Sequence, residues 1–558
     1  MCGIFAILNS LKSLKELSDE EYGKIKVAFE KGSGRGPEFS ILEPIDNSHL
    51  FGFHRLAING YNNPTSNQPI KIKQYSLICN GEIYNWRELH EKLSVENITG
   101  SDCEIIIHLF DLFGLEYTLN VLDGVFAFVL YDHEKNQINI ARDCFGVRPL
   151  FISKDPTGQS LNNIIIASEM KMLVDIVDPK TIQAFPPATY MIIDNKNNKI
   201  SNHSYFKIGQ TINIVNSSEE VALSNIRVNL INAVKKRVNN TDRQIACLLS
   251  GGLDSSIITS IVSHFHGSEN LHTWSIGMKG SEDLKYAKKV ADFLGTNHHT
   301  IELSVNEFID AIEEVIKTIE SYDTTTVRAS VGNWLIAKYI RQQSDAKVVF
   351  NGDGSDELTG GYMYFHYANN PLEFDHECKR LLSDIHLFDV LRSDRSISSH
   401  GLEARTPFLD KNFVESYLSI PSQLRFDSMK TTGVEKYLLR KAFDTGEFLP
   451  PEVLWRTKEA FSDGVSHERA SWFEMIQQYA VSYFKSHSVV VDDLDLTDGK
   501  QAEKYLYKQI YNKYYLNTEQ VIPYLWMPKF VEATDASART LGIYKKNDLK
   551  KKNKVVYN

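Results

Sequence analysis

The sequence predicts an α/β multidomain protein. Antiparallel sheets with outer helices come first, then a parallel sheet, then a helical extension. Three observations predict it. Short apolar runs bounded by turn residues fill the first two hundred positions, strand and helix patterns then alternate as far as AKVVF, and beyond residue 365 the chain is helix-rich without periodic repeats. The composition agrees. The 558 residues are 42 % hydrophobic and 24 % charged, with a formal net charge of −10, which is ample for a core and too mild for a protein that coats nucleic acid. No run approaches the ~20 apolar residues of a membrane helix. Six scattered cysteines with no Cys-x-x-Cys pair suit reduced thiols, so the expectation is a cytoplasmic protein with neither nucleic-acid nor membrane partners.

The opening MCGIFAIL lacks the basic residues of a secretion signal, and polar Asn9-Ser10 ends the run. It reads instead as a central strand. SLICNGEIYN, NIIIASE and ATYMIID are further strands, and VFAFVLYD with QINIARD predicts a hairpin about HEKN. CEIIIHLFDLFG is a helix starting near Ser101-Asp102. The style changes after the polar TINIVNSSEE, which puts a boundary near residue 210. Leu223, Ile226, Leu230, Val234 and Val238 then recur at helical spacing. Strand IACLL, helix SSIITSIVSHF, strand LHTWSIG, helix DLKYAKKVADFLG, strand HHTIELSV, a long helix from Asn306 and strand AKVVF follow. This rhythm means crossover units and a parallel sheet. Expected domains are 2–209, 210–544 and a lysine-rich, disordered tail over 545–558.

Strand IACLL runs straight into Ser250-Gly251-Gly252-Leu253-Asp254-Ser255-Ser256. Two glycines let the backbone approach a ligand, and free helix N–H groups with hydroxyls favour an oxyanion. The lysine of the GxxxxGK[ST] phosphate loop is missing. The stretch resembles the pyrophosphate-binding loop of ATP pyrophosphatases. A second cluster, Asn351-Gly352-Asp353-Gly354-Ser355-Asp356-Glu357, follows a later strand. Both loops can face one crevice, where acids suit magnesium on pyrophosphate. Loss of Met1 would leave Cys2 with thiol and α-amine in one residue, and an amine of pKa ~7.7–8.0 can take the thiol proton. His54-Arg55-Leu56-Ala57-Ile58 offers a cation for a carboxylate, Asn80-Gly81-Glu82 an oxyanion donor and an acid, and Ser101-Asp102 a second acid. His298-His299 point to opposite faces of a strand, so a structural role is expected. Cys79 and Cys247 read as core.

CGIFAI, RLAI, NGEIYN, GSDCE, LLSGGLDSS, YDTTTVRAS, GDGSDEL, EARTPFLD and WRTKEAFSDGV, in that order, resemble the glutamine-hydrolysing asparagine synthetases from Cys2 to about Tyr544. The resemblance implies an N-terminal-nucleophile α/β/β/α sandwich fused to an ATP-pyrophosphatase domain. It implies a ligase using glutamine, aspartate, ATP and Mg2+, and a homodimer. Cys2 would attack glutamine, with Asn80 and Gly81 as oxyanion hole. Arg55, Leu56, Ala57, Ile58, Asn59, Glu82 and Asp102 would bind glutamine. Leu249, Ser250, Gly251, Gly252, Asp254, Ser255, Ile276, Asn351 and Gly352 would bind ATP, with Asp254 and Asp356 holding the metal. Thr325, Thr326, Arg328, Asp356, Glu357, Tyr362 and Lys458 would surround the aspartyl adenylate, with Asp353, Arg328 and Lys458 catalytic. The alternatives are a relative acting on another carboxylate and a non-catalytic descendant. Two departures stand out. Asn351 and Asp353 replace the family's usual Ser and Glu, and Glu38 stands where Asp is common.

Overall fold

The computed structural model describes residues 1–154, 161–209, 218–456, 464–466 and 471–542. The expected boundary at 210, Lys458 and the tail lie outside those residues. Among them, no helix is long and apolar enough to cross a membrane.

The strands of the first part, in chain order, are β1 (Gly3–Leu8), β2 (Phe39–Pro44), β3 (Leu50–Arg55), β4 (Ile70–Ile72), β5 (Tyr75–Ile83) and β6 (Gly124–Asp132). β7 (Gln137–Arg142), β8 (Phe151–Ser153), β9 (Ile164–Ala167), β10 (Ile182–Ala184), β11 (Thr189–Asp194) and β12 (Lys199–Ser204) complete them. They form two sheets, ordered β10-β8-β9-β1-β3-β2 and β12-β11-β7-β6-β5-β4. Each pairing between these strands is antiparallel. Period-two alternation explains the stacking. Ile4, Ala6 and Leu8 meet Phe53, Ile78, Val129 and Ile140 between the sheets, while Phe5 and Ile7 join a second core with Phe29 on the opposite face. A strand covered on both sides has no polar alternation, which is why GIFAIL is apolar throughout. The predicted hairpin is β6–β7, with Phe128 opposite Ala141. The outer face of the second sheet carries the helices Trp86–Leu93 and Ile105–Phe113.

The helix Glu219–Val238 opens the second part. Its Ser218 cap accepts from Val221 N–H, with acids in its first turn and Lys235, Lys236 and Arg237 in its last, which complements the helix dipole. β13 (Ile245–Leu248), β14 (His272–Met278), β15 (Asn297–Leu303), β16 (Val348–Phe350) and β17 (Glu403–Arg405) form a parallel sheet ordered β15-β14-β13-β16-β17. The chain leaves β13 toward one edge and later returns to its other side as β16. The carboxyl ends of β13 and β16 therefore flank a switch-point crevice.

Two expectations are corrected. The helix expected from Asn306 is two, Val305–Asp310 and Ile312–Ile319, broken at Ala311. Phe308 is drawn onto Trp472, ring centroids 5.4 Å apart, while Ile312, Val315, Ile316 and Ile319 are buried along the second helix. The helix-rich stretch beyond 365 also contributes β17, whose Glu-Ala-Arg has no apolar signature.

The two parts share their cores. One joins Leu56, Tyr84 and Phe145 to Ile226, Leu230 and Phe408; another joins Met1, Phe5 and Ile7 to Trp274, Val349 and Leu402. Buried polar ties reinforce this. Arg35 holds Asp394 at 2.7 Å, and Glu320 accepts from the Met170 and Lys171 N–H groups at 2.9 and 2.7 Å. Apolar interfaces of this kind resist sliding of one half on the other.

Candidate active sites

Cys2 immediately precedes β1 and lies beside Asn80 of β5. Its backbone N–H donates to Asn80 Oδ1 at 3.1 Å, and its thiol faces the Leu56 carbonyl at 3.7 Å. Burial raises the thiol above its ordinary pKa. Asn80 is fully buried, and with its oxygen engaged by Cys2 its Nδ2 has no partner. An orphaned buried donor is costly, so this amide is poised for an acceptor beside the sulfur. Gly81 packs against Phe126, where an added Cβ would lie 2.7 Å from the Val125 carbonyl.

Arg55 ends β3. Its guanidinium donates to Asn67 Oδ1 at 2.8 Å and the Gly60 carbonyl at 2.7 Å, with weaker contacts to the carbonyls of Asn63 and Asn59. These partners are neutral, so the positive charge is left for a carboxylate. Glu82 and Asp102 are buried nearby. Asp102 accepts from Ile83 N–H at 2.7 Å, and burial pushes its carboxyl up to about 6. Glu82 accepts from Asn59 at 2.8 Å, Asn240 at 3.0 Å and Arg405 at 3.3 Å. Burial, with Glu403 and Asp102 nearby, raises it well above the usual carboxylate range.

The second site is a cleft lined by Leu249, Ser250, Gly252, Asp254, Ser255, Ile276, Thr325, Asn351, Gly352, Asp353, Asp356 and Tyr362. The loops after β13 and β16 thus meet, as the switch point requires. Gly352 permits it, since a Cβ there would lie 2.7 Å from Asp254 Cβ and 2.8 Å from Ser255 N. Gly251 has φ +71° and would collide with Ala287 N at 2.4 Å, so only glycine serves. Ser250 and Ser255 hydroxyls lie 2.9 Å apart at the start of the helix Leu253–His266, whose N–H groups point at the cradle. Asp353 Oδ1 meets Arg392 at 2.9 Å; its Oδ2 is buried without a hydrogen-bond partner, and burial raises its pKa.

Other expected residues are placed differently. Arg328 is buried and held by Glu503 and Asp535, and it is not among the residues lining this cleft. Thr326 donates N–H and hydroxyl to Asp323, at 2.9 and 2.7 Å, as part of a helix cap. Glu357 is buried and accepts from the Tyr362 hydroxyl. Lys458 lies outside the described residues. Sequence reasoning missed Lys436. Its Nζ sits 2.6 Å from both Asp254 Oδ2 and Asp356 Oδ1, and a lone lysine in a helical stretch carried no signal for it. Arg392 and Arg405 were missed in the same way. His298 bonds Thr273 and Ser275 hydroxyls, and His299 stacks on Trp274; both are structural. Cys79 and Cys247 are fully buried. Glu38 accepts from Ala57 N–H at 2.6 Å and pairs with Arg243 of the second part at 3.0 Å.

The glutamine amidotransferase domain profile matches residues 1–222, and the asparagine synthase profile residues 225–376 and 368–520. The glutamine-hydrolyzing asparagine synthetase of Gallus gallus is 42 % identical over 98 % of this chain and 99 % of its own length. The chain belongs to the glutamine-hydrolysing asparagine synthetase family. The human member is 40 % identical over the same shares of the two chains. In an asparagine synthetase family member, the expected departure at Asp353 can be tested directly. Asp353→Glu should change asparagine formation by less than about tenfold, because Arg392 already fixes the shorter arm; a gain of ~100-fold, the scale of a 1 Å misplacement, would show that the arm is too short.

Proposed function

We propose that the chain converts L-aspartate, L-glutamine, ATP and water to L-asparagine, L-glutamate, AMP and diphosphate, through a β-aspartyl-AMP intermediate and internally delivered ammonia. The glutaminase domain would span 2–209 and the synthetase domain 210–544. The observation that carries the reading is the pairing, in one chain, of a cysteine site with an orphaned amide donor and a glycine-lined phosphate cradle walled by carboxylates.

In the glutaminase half, removal of Met1 gives the Cys2 sulfur a neighbouring amine as proton acceptor. Arg55 takes the glutamine α-carboxylate, and Glu82 with Asp102 takes its α-ammonium. The free Asn80 Nδ2 donates to the developing oxyanion. Leaving ammonia must stay unprotonated to attack, so it has to cross the packed boundary without meeting bulk water.

In the synthetase half the difficulty is the aspartate carboxylate, whose carbon is poorly electrophilic. Transfer of AMP supplies a leaving group. The Ser250–Ser255 cradle orients the phosphates, and Lys436 offsets their charge. Asp353 Oδ2 accepts the proton ammonia loses as it attacks. Asp254 and Asp356 fit magnesium, since their oxygens already surround one cationic nitrogen and oxygen donors are what the ion prefers. Bound there, it would supply charge neutralisation on the pyrophosphate. The same reading takes the protein to be a cytoplasmic homodimer.

The test is to supply aspartate, glutamine, Mg2+ and ATP and identify the products. Asparagine with AMP and diphosphate supports the reading; ADP with phosphate overturns it. The pH profile gives a further check. An Asp102 carboxyl near 6 is charged above that pH and neutral below it, whereas glutamine's ammonium stays charged throughout. Glutamine affinity should therefore fall as pH drops through ~6 rather than through the ~4 of an ordinary aspartate. Glutamine binding to the Cys2→Ala variant that is flat between about pH 5 and 7 would contradict this.

A further inference from the structure

Away from both clefts, His90, Glu104 and His108 converge on the outer face of the glutaminase sheets, their donor atoms all within 4.8 Å of one another. We propose that these three side chains form a binding site for one zinc-class divalent transition-metal ion per chain.

The clearest feature is His90, on the helix Trp86–Leu93. It is 6 % exposed, and its Nδ1 lies 3.1 Å from the Val95 carbonyl. A carbonyl only accepts, so Nδ1 carries the proton and Nε2 presents a lone pair. That Nε2 is buried with no hydrogen-bond partner, a state a buried polar atom avoids unless something binds it. An Nδ1–H anchored on a backbone carbonyl is also how proteins orient a metal-binding imidazole.

Glu104 is fully buried. Ile98 N–H at 3.0 Å and Thr99 N–H at 2.7 Å fix its carboxylate, and Oε1 lies 3.1 Å from His108 Nε2. Those donors hold it as an outer shell holds a metal carboxylate. His108, on the helix Ile105–Phe113, keeps 14 % of its side chain exposed, which leaves an approach from solvent and a position for water. In a tetrahedral site with ~2.0–2.1 Å bonds, donors stand about 3.4 Å apart. One pair, Glu104 and His108 at 3.1 Å, is already closer than that, and the others, within 4.8 Å, need to close by at most about 1.4 Å, within reach of side-chain rotation. Two imidazoles with one carboxylate suit zinc and disfavour magnesium. On binding, the ion takes the His90 Nε2 and Glu104 lone pairs, and His108 passes its Nε2 proton through solvent to Nδ1.

Glu104 stands two residues after Asp102, in the same short turn Asp102–Glu104. The ion would tie that turn to the helix Trp86–Leu93 and stiffen the segment carrying Asp102.

The experiment uses chelator-stripped full-length protein titrated with Co2+ and then Zn2+. Expected are one Co2+ per chain, a visible absorption band without thiolate charge transfer, displacement by Zn2+ and a zinc-dependent rise in melting temperature. His90→Gln should abolish binding, and His108→Gln, at the exposed edge where folding is least at risk, should weaken it at least tenfold and remove the melting shift. Failure of the wild type to bind either ion would overturn the proposal. So would a thiolate band, or unchanged affinity in His108→Gln.

Discussion

Replacing Cys2 by alanine is expected to cut asparagine formation from glutamine by about 10⁴-fold or more, the usual cost of losing a nucleophile, while formation from free ammonia stays within about threefold. The split follows from the architecture. Cys2, Asn80, Arg55 and Asp102 belong to the amidotransferase region, whereas the cleft that would bind ATP and aspartate is built from residues beyond 245. Removing the sulfur also leaves Cys2's backbone contact with Asn80 Oδ1 in place, so the site should persist and still bind glutamine. Parallel assays with glutamine and with ammonium chloride check this. Loss of both activities would mean that the two halves cannot work separately. Loss of neither would leave the cysteine idle.

Lys436→Met should produce the opposite division. Synthesis from either nitrogen source is expected to fall about 100-fold or more, the scale of losing one preorganised charge at a reacting group, with glutamine hydrolysis within about threefold of the parent. Lys436 is almost fully buried between Asp254 and Asp356, each roughly one-sixth exposed. Removing its ammonium leaves two carboxylates facing each other, at a cost of about 3 kcal/mol of stability. Measuring the melting temperature with and without Mg2+ and ATP separates the two effects, since metal between the carboxylates restores stability without restoring the lysine. Wild-type rates of asparagine formation in this variant would remove Lys436 from the chemistry.

The local pattern was legible where burial was uniform. GIFAIL, VFAFVLYD and IACLL became strands because both faces of each are covered, and the glycines of the loops after β13 and β16 mark their close approach in the sequence itself. The cleft between those loops was therefore traceable in the sequence, and the grouping about Cys2 was traceable to its short motifs. The partners of Arg328 were not legible, because a basic residue in a motif says nothing of which acids will reach it. Glu503 and Asp535 lie 175 and 207 positions further along the chain.

β17 is the clearest case of what no local pattern carried. Its three residues are charged at both ends, yet Glu403 and Arg405 are nearly fully buried, because each answers a charge from elsewhere. Arg405 reaches Glu82 at 3.3 Å, the Met1 ammonium faces Glu403 at 3.6 Å, and the Arg405 carbonyl accepts from Asn351 N–H at 3.1 Å. One strand thus touches the expected glutamine-binding acid with its side chain and the loop after β16 with its backbone. Apolar periodicity and glycine spacing are short-range properties, written where they act, and they were enough to name the elements, the two chemistries and the family. Which buried charge neutralises which is a long-range matter settled when distant strands pack. That is why Lys436, Arg392 and Arg405 emerged only once the chain was folded.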